Sequence, residues 1–148
     1  MTAQADIVVG AIEEPQVTAA VQRARELAPT GPKGEVDGET GALVRFDGRV
    51  RRMERTECGG ERELAALDYE VYEPMASSQL HELAQRVLHA HGLHRVVVLH
   101  SRGVVPVGAV SFVLVVESPH RAEALAATVD FIDGLKRDVP IWKQPVWA

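Results

Sequence analysis

The chain has 148 residues, is 46% hydrophobic, contains one cysteine and has a formal net charge of −5. That is enough chain for one globular unit with an ordinary core, without disulfides or a cysteine-based zinc site. The acidic balance speaks against a general nucleic-acid binder. No run approaches the ~20 apolar residues of a membrane span, and the first residues lack the basic and apolar regions of a signal peptide, so a soluble, cytoplasmic protein is expected.

Asp6 to Ile12 is β-prone, and Pro15 suits the first turn of a helix. Val17, Ala20, Val21, Ala24, Leu27 and Ala28 then recur at helical spacing. Pro29 to Gly41 is punctuated by glycine and proline and reads as loop. Ala42 to Val50 reads as a strand with an irregularity at Gly48. The charged stretch from about 52 to 63 reads as a connection, the turn of a long hairpin whose second strand is Leu64 to Tyr72. Pro74 opens a second helix with Leu80, Leu83, Ala84, Val87, Leu88 and His91 on one face and Gly92 as its stop signal. Leu93 to His100 is a strand. Val110 to Val116 is nearly all apolar, which predicts a central strand buried on both faces.

Ser118-Pro119 then predicts a helix N-cap and first-turn proline. Ala122, Leu125, Ala126, Val129 and Ile132 form the predicted buried stripe, and Pro140 stops the helix near Asp138. The order predicts an α+β fold, helices packed on one side of a mostly antiparallel sheet, in a single domain over 1–148.

Chemistry has few candidate homes in this sequence. The N-terminus of the third helix offers unpaired N–H groups and a partial positive charge, both suited to an anion. Arg121 opposes that dipole and makes better sense with a phosphate or carboxylate beside it; an exposed arginine reaching into solvent is the bland reading. Lys136 suits the last turn of the same helix for dipole reasons alone. Lys143 stands among bulky residues in Pro140-Ile141-Trp142-Lys143. Partial burial and neighbouring cations would favour its neutral form and so acid–base or nucleophilic work. The bland reading packs its stem on Trp142. Arg49, Arg51 and Arg52 form a third cationic group at a strand end. The six histidines show no metal-ligand spacing, and His100 reads as a core histidine with a backbone partner. Neither a phosphate loop nor a nucleophile elbow occurs.

Five segments, in order, resemble one family. Phe46-Asp47-Gly48-Arg49-Val50-Arg51 is similar to its F-x-G-x-V-R. Leu67 to Ala76 resembles L-x-Y-E-x-Y-x-x-M-A. His100 to Gly108 resembles a strand–turn–strand with a recurring histidine and two glycines. Ser118 to Arg121 is similar to S-x-H-R. Asp133 to Lys136 with Pro140 to Lys143 is similar to D-x-L-K…P-[IF]-W-K. The family is the large subunit of molybdopterin synthase, and the likeness runs from about Ile7 to Lys143.

The resemblance implies an α/β hammerhead fold with an added, mainly antiparallel β subdomain, and a homodimer of large subunits. A small ubiquitin-like sulfur-carrier subunit docks at each end, giving a heterotetramer, and its Gly-Gly thiocarboxylate tail reaches into the large subunit's pocket. The implied activity is a sulfurtransferase of molybdenum-cofactor biosynthesis. It turns cyclic pyranopterin monophosphate into the dithiolene of molybdopterin, with no cofactor or metal of its own. The implied catalytic residues are Lys136 and Lys143. The implied substrate contacts are Arg49, Val50, Arg51, His120, Arg121, Lys136, Lys143, Gln144 and Pro145. The chain departs from the family at Gln144-Pro145, where many members have a basic residue and Glu, and at Arg52, where some have Asn. Some members also continue beyond the position of Ala148. Two other readings stand beside this one: a dimeric scaffold that binds a ubiquitin-like partner without catalysis, and a ferredoxin-like regulatory or nucleic-acid-binding domain.

Overall fold

The computed structural model describes residues 1–27 and 38–148. Most of the loop expected over 29–41, and Ala28 of the first helical stripe, lie outside the described residues. The elements in chain order are β1 (Thr2–Val9), α1 (Glu14–Leu27), β2 (Ala42–Arg49), β3 (Met53–Arg55), β4 (Glu61–Val71), α2 (Met75–Ala90), β5 (Arg95–Pro106), β6 (Val110–Ser118), α3 (Arg121–Asp138) and β7 (Ile141–Trp147).

The spine is β5. Its first half pairs in parallel with β1 and antiparallel with β6, and its last residues, Gly103 to Pro106, pair antiparallel with β4. Every residue from Val96 to Leu99 is buried, because both faces are covered. Val96, Val98, Phe112, Leu114 and Val116 pack with α2 and α3. Val97, Leu99, Val113 and Val115 pack with Val17, Ala20 and Ala24 of α1. The α+β class holds, but the helices do not share one side: α1 takes one face, α2 and α3 the other. The unbroken apolar run of β6 already required two covered faces. Fully buried side chains such as Phe131, Leu80 and Leu88 each contribute about 1.5–3 kcal/mol.

Several expectations about strands change. β5, expected over Leu93 to His100, spans Arg95–Pro106. β1 begins at Thr2, earlier than the β-prone run, because Ala3, Ala5 and Ile7 alternate onto the α2–α3 core, and the chain turns at Gly10 with φ +77°. β2 and β4 are not one long hairpin: β2 runs antiparallel to β6, with its register shift between Gly48 and Arg49 as the sequence suggested. The hairpin is β3–β4, so the connection expected over 52–63 carries a strand and the start of another. Its turn closes between Thr56 and Gly60.

Two expectations about α3 change as well. Ser118 ends β6 and its hydroxyl donates to the His120 carbonyl, so it does not cap the helix; His120 is the N-cap residue and Arg121 the first helical one. The buried face of α3 is Ala124, Ala127, Thr128, Phe131 and Gly134. Gly134 lies where α3 meets α2: a Cβ there would come within 2.6 Å of Leu83 Cδ1. Of the stripe read from the sequence, Ile132 packs partly buried against the core, while the other four residues lie on the opposite flank. Ala122 and Ala126 are exposed, and Leu125 and Val129 are 55% and 61% exposed. Periodicity found a real apolar flank but could not tell which of two flanks faces the core.

Beyond the main sheet, β3, β4 and β7 form an antiparallel addition. β7 pairs with β4 from Ile141 to Trp147, and Val50, Leu64, Leu67 and Val105 make a small core beneath it, with Trp147 packed against it. Arg62 lies over the Trp147 ring at 4.7 Å. This is the added β subdomain that the resemblance implied.

Candidate active site

The site is built outward from β7. Pro140 ends α3, and Val139 takes an extended conformation that turns the chain into a strand against β4. The register sets Lys143 opposite Tyr69, Gln144 opposite Asp68 and Pro145 opposite Leu67. Successive strand residues point to opposite faces, so Lys143 does not lay its stem on Trp142; that ring meets Tyr72 edge-on at 4.7 Å.

Lys143 is half exposed and its Nζ lies 3.0 Å from Glu54 Oε2 of β3. The expected setting of a lysine among cations is therefore corrected: its nearest charge is a carboxylate. The Lys143 hydrogen bond holds the Glu54 carboxyl below the usual range against partial desolvation, helped by the Arg55 backbone N–H and the charge of Arg51. Lys143, Gln144 and Pro145 line a cavity of about 510 Å³ together with Glu54, Arg62 and Trp147. The lining also includes Arg55, Glu57 and Leu67, so three cations outnumber two carboxylates, a balance that suits a polar, anionic guest.

The other predicted residues divide. Val50 is buried in the small core, its N–H donating to the Ala109 carbonyl and its carbonyl accepting from the Gly108 N–H. Its work is to fix the chain between Arg49 and Arg51. Arg51 is exposed and close enough to Glu54 to influence its charge. Arg49 donates to the Gly108 carbonyl at 3.3 Å. Lys136 is exposed in the last turn of α3, just ahead of the junction with β7.

His120 and Arg121 stand at the far end of α3. Fifteen positions separate Arg121 from Lys136 on one helix, roughly 22 Å at 1.5 Å per residue. No side-chain rotation closes that gap, so a single hollow within one chain does not gather all the predicted cations. Arg121 and Lys136 form no ion pair among the described residues.

His100 is a core histidine, as read from the sequence. Its Nδ1 donates to the Ser101 carbonyl at 2.8 Å, and the ring meets Tyr69 edge-on. Burial pushes its pKa below 6.5, against the pull of that hydrogen bond. The Tyr69 hydroxyl in turn meets Ser111 Oγ at 2.9 Å. The residue that sequence reasoning missed is Glu54. It sits in a run of alternating charges that reads as solvated surface, and its partner is 89 positions away; only the β3–β4–β7 register could have paired them.

The family model described as MoaE protein matches residues 13–138. This chain belongs to the MoaE protein family. Among curated relatives, the molybdopterin synthase catalytic subunit of Arabidopsis thaliana is 37% identical over 110 residues, 74% of this chain and 53% of that protein. Its counterparts from Nostoc sp. and Bacillus subtilis are 36% and 35% identical, over 75% and 74% of this chain and 65% and 66% of theirs. The match therefore spans about half to two thirds of these relatives' length. The X-ray crystal structure of molybdopterin synthase from Staphylococcus aureus superposes with a TM-score of 0.72 at 27% identity, over 96% of this chain and 90% of that one. A complex of subunits 1 and 2 of molybdopterin-converting factor from Helicobacter pylori shares the fold at a TM-score of 0.68 and 23% identity, over 97% and 89%. No helix among the described residues of this MoaE protein is long and apolar enough to cross a membrane.

Proposed function

We propose that this MoaE protein is the catalytic subunit of a molybdopterin synthase. It takes sulfur from the thiocarboxylated C-terminus of a small ubiquitin-like subunit and adds it to cyclic pyranopterin monophosphate. The observation that carries the reading is the β7 cavity, where Lys143 meets a solvent-open hollow that Arg55 and Arg62 also line. Lys143 and Lys136 handle proton transfer and orient the incoming thiocarboxylate. Arg51 takes part of the substrate's negative charge. The sulfur arrives on the partner, so Cys58, exposed in the β3–β4 turn, has no part in the reaction.

His120 and Arg121 serve the site of a second copy. Two features support this. One is the roughly 22 Å between the two ends of α3. The other is the exposed flank Ala122, Leu125, Ala126 and Val129, an apolar strip between the two cationic groups. Two copies packed along this flank in opposite directions would set Arg121 of one beside Lys136 of the other, as a twofold interface requires. The phosphate of the precursor then meets the helix N-terminus, where the N–H groups and the dipole favour an anion.

Incubation with cyclic pyranopterin monophosphate and the thiocarboxylated small subunit tests the reading through formation of the dithiolene. Lys143→Ala is expected to slow conversion by about a hundredfold or more. A wild-type protein that binds the small subunit and yields no dithiolene is a scaffold, and the proposal fails.

A further inference from the structure

Glu54 belongs to none of the segments that carry the family likeness, yet it makes the closest charged contact of Lys143. Its side chain is only 19% exposed, whereas that of Lys143 is 52% exposed. The carboxylate is thus the fixed member of the pair. It is fixed by its place on β3, a strand of three residues tied to β4 at Glu54–Arg62, while β4 carries β7 on the register Tyr69–Lys143. The backbone N–H of Arg55 and the charge of Arg51 favour its ionised form.

An ammonium has three donors, and Glu54 occupies one. Two remain for a guest in the cavity that both side chains line. Without an anchor, a half-exposed lysine samples many rotamers, and a reacting group displaced by about 1 Å can cost a hundredfold in rate. An exposed ion pair of this kind contributes little to stability, so tethering the hairpin is not a sufficient reason for it.

We infer that Glu54 is the positioning residue of Lys143, holding its ammonium over the cavity with two donors turned toward an incoming anion. The inference rests on the sulfur-transfer reading of Lys143. Glu54 acts through Lys143, and the role needs no contact of its own with the pterin or the thiocarboxylate.

A double-mutant cycle tests it, with single-turnover rates and KM for the precursor measured for wild type, Glu54→Gln, Lys143→Ala and the double variant. Glu54→Gln is expected to lower the rate by about ten- to a hundredfold, with KM changed roughly twofold or less and thermal unfolding little altered. In the Lys143→Ala background the same substitution is expected to cost nothing further, because the group it positions is gone. A Glu54→Gln variant as fast as wild type overturns the inference, and so does a double variant slower than Lys143→Ala by the full Glu54→Gln factor, which marks a structural role. Both outcomes leave the sulfur-transfer reading standing if Lys143→Ala is slow. Near wild-type conversion by Lys143→Ala sinks the reading and the inference together.

Discussion

Glu117 and His100 are buried apart from the cavity and bear on stability. Glu117, almost wholly buried on β6, meets Arg95 of β5 at 2.5 Å and Arg25 of α1 at 2.6 Å. Glu117→Ala takes a buried carboxylate away from the buried Arg95 and from Arg25 together, so it is expected to destabilise the protein by about 3 kcal/mol in urea unfolding. His100 is the pH-sensitive case. Burial depresses its pKa in the folded chain below 6.5, so the unfolded chain binds the proton more tightly. Its contribution to stability is full above about pH 6.5 and declines as the pH falls from there toward the depressed folded value. His100→Gln is expected to flatten the fall in Tm between roughly pH 6.5 and 5. An unchanged slope would place that proton uptake on another group.

At the scale of elements, α3 carries the account, since it presents His120 and Arg121 at one end and Lys136 at the other. Gly41 packs against the turn before the first residue of α3: a Cβ there would lie 2.2 Å from the Pro119 carbonyl oxygen, which is backbone. Gly41→Ala must push that turn aside and is expected to destabilise the protein by about 1–3 kcal/mol, seen as a lower urea midpoint. The exposed flank makes the opposite prediction. Val129 is 61% exposed, so Val129→Asp is expected to leave the monomer's unfolding nearly unchanged, to shift sedimentation from dimer to monomer and to lower sulfur transfer with it. A dimeric, active Val129→Asp would move the interface elsewhere.

At the scale of the whole molecule, the sequence made legible what local pattern controls. The start of α1 near Pro15, the body of α2 ahead of Gly92, the end of α3 at Asp138 and the doubly buried β6 all follow from periodicity, glycine and proline. Pairing was less legible: β2 and β4 are consecutive long strands, yet each finds its main partner far along the chain, β6 for one and β7 for the other. Lys143, Gln144 and Pro145, named from the sequence, line one cavity, but the shape of that cavity was not legible. Nothing local says that Arg121 and Lys136 end up a helix length apart, or that the apolar stripe between them faces outward. Both facts point to a site shared by two chains, and subunit mixing tests that most directly. Arg121→Ala and Lys136→Ala homodimers are each expected to be nearly inactive in dithiolene formation. Unfolded and refolded together in equal amounts, they form mixed dimers in which one of the two composite sites is intact, and activity returns to roughly a quarter of the wild-type level. A mixture no more active than either variant alone, with mixed dimers present, would contradict the shared site.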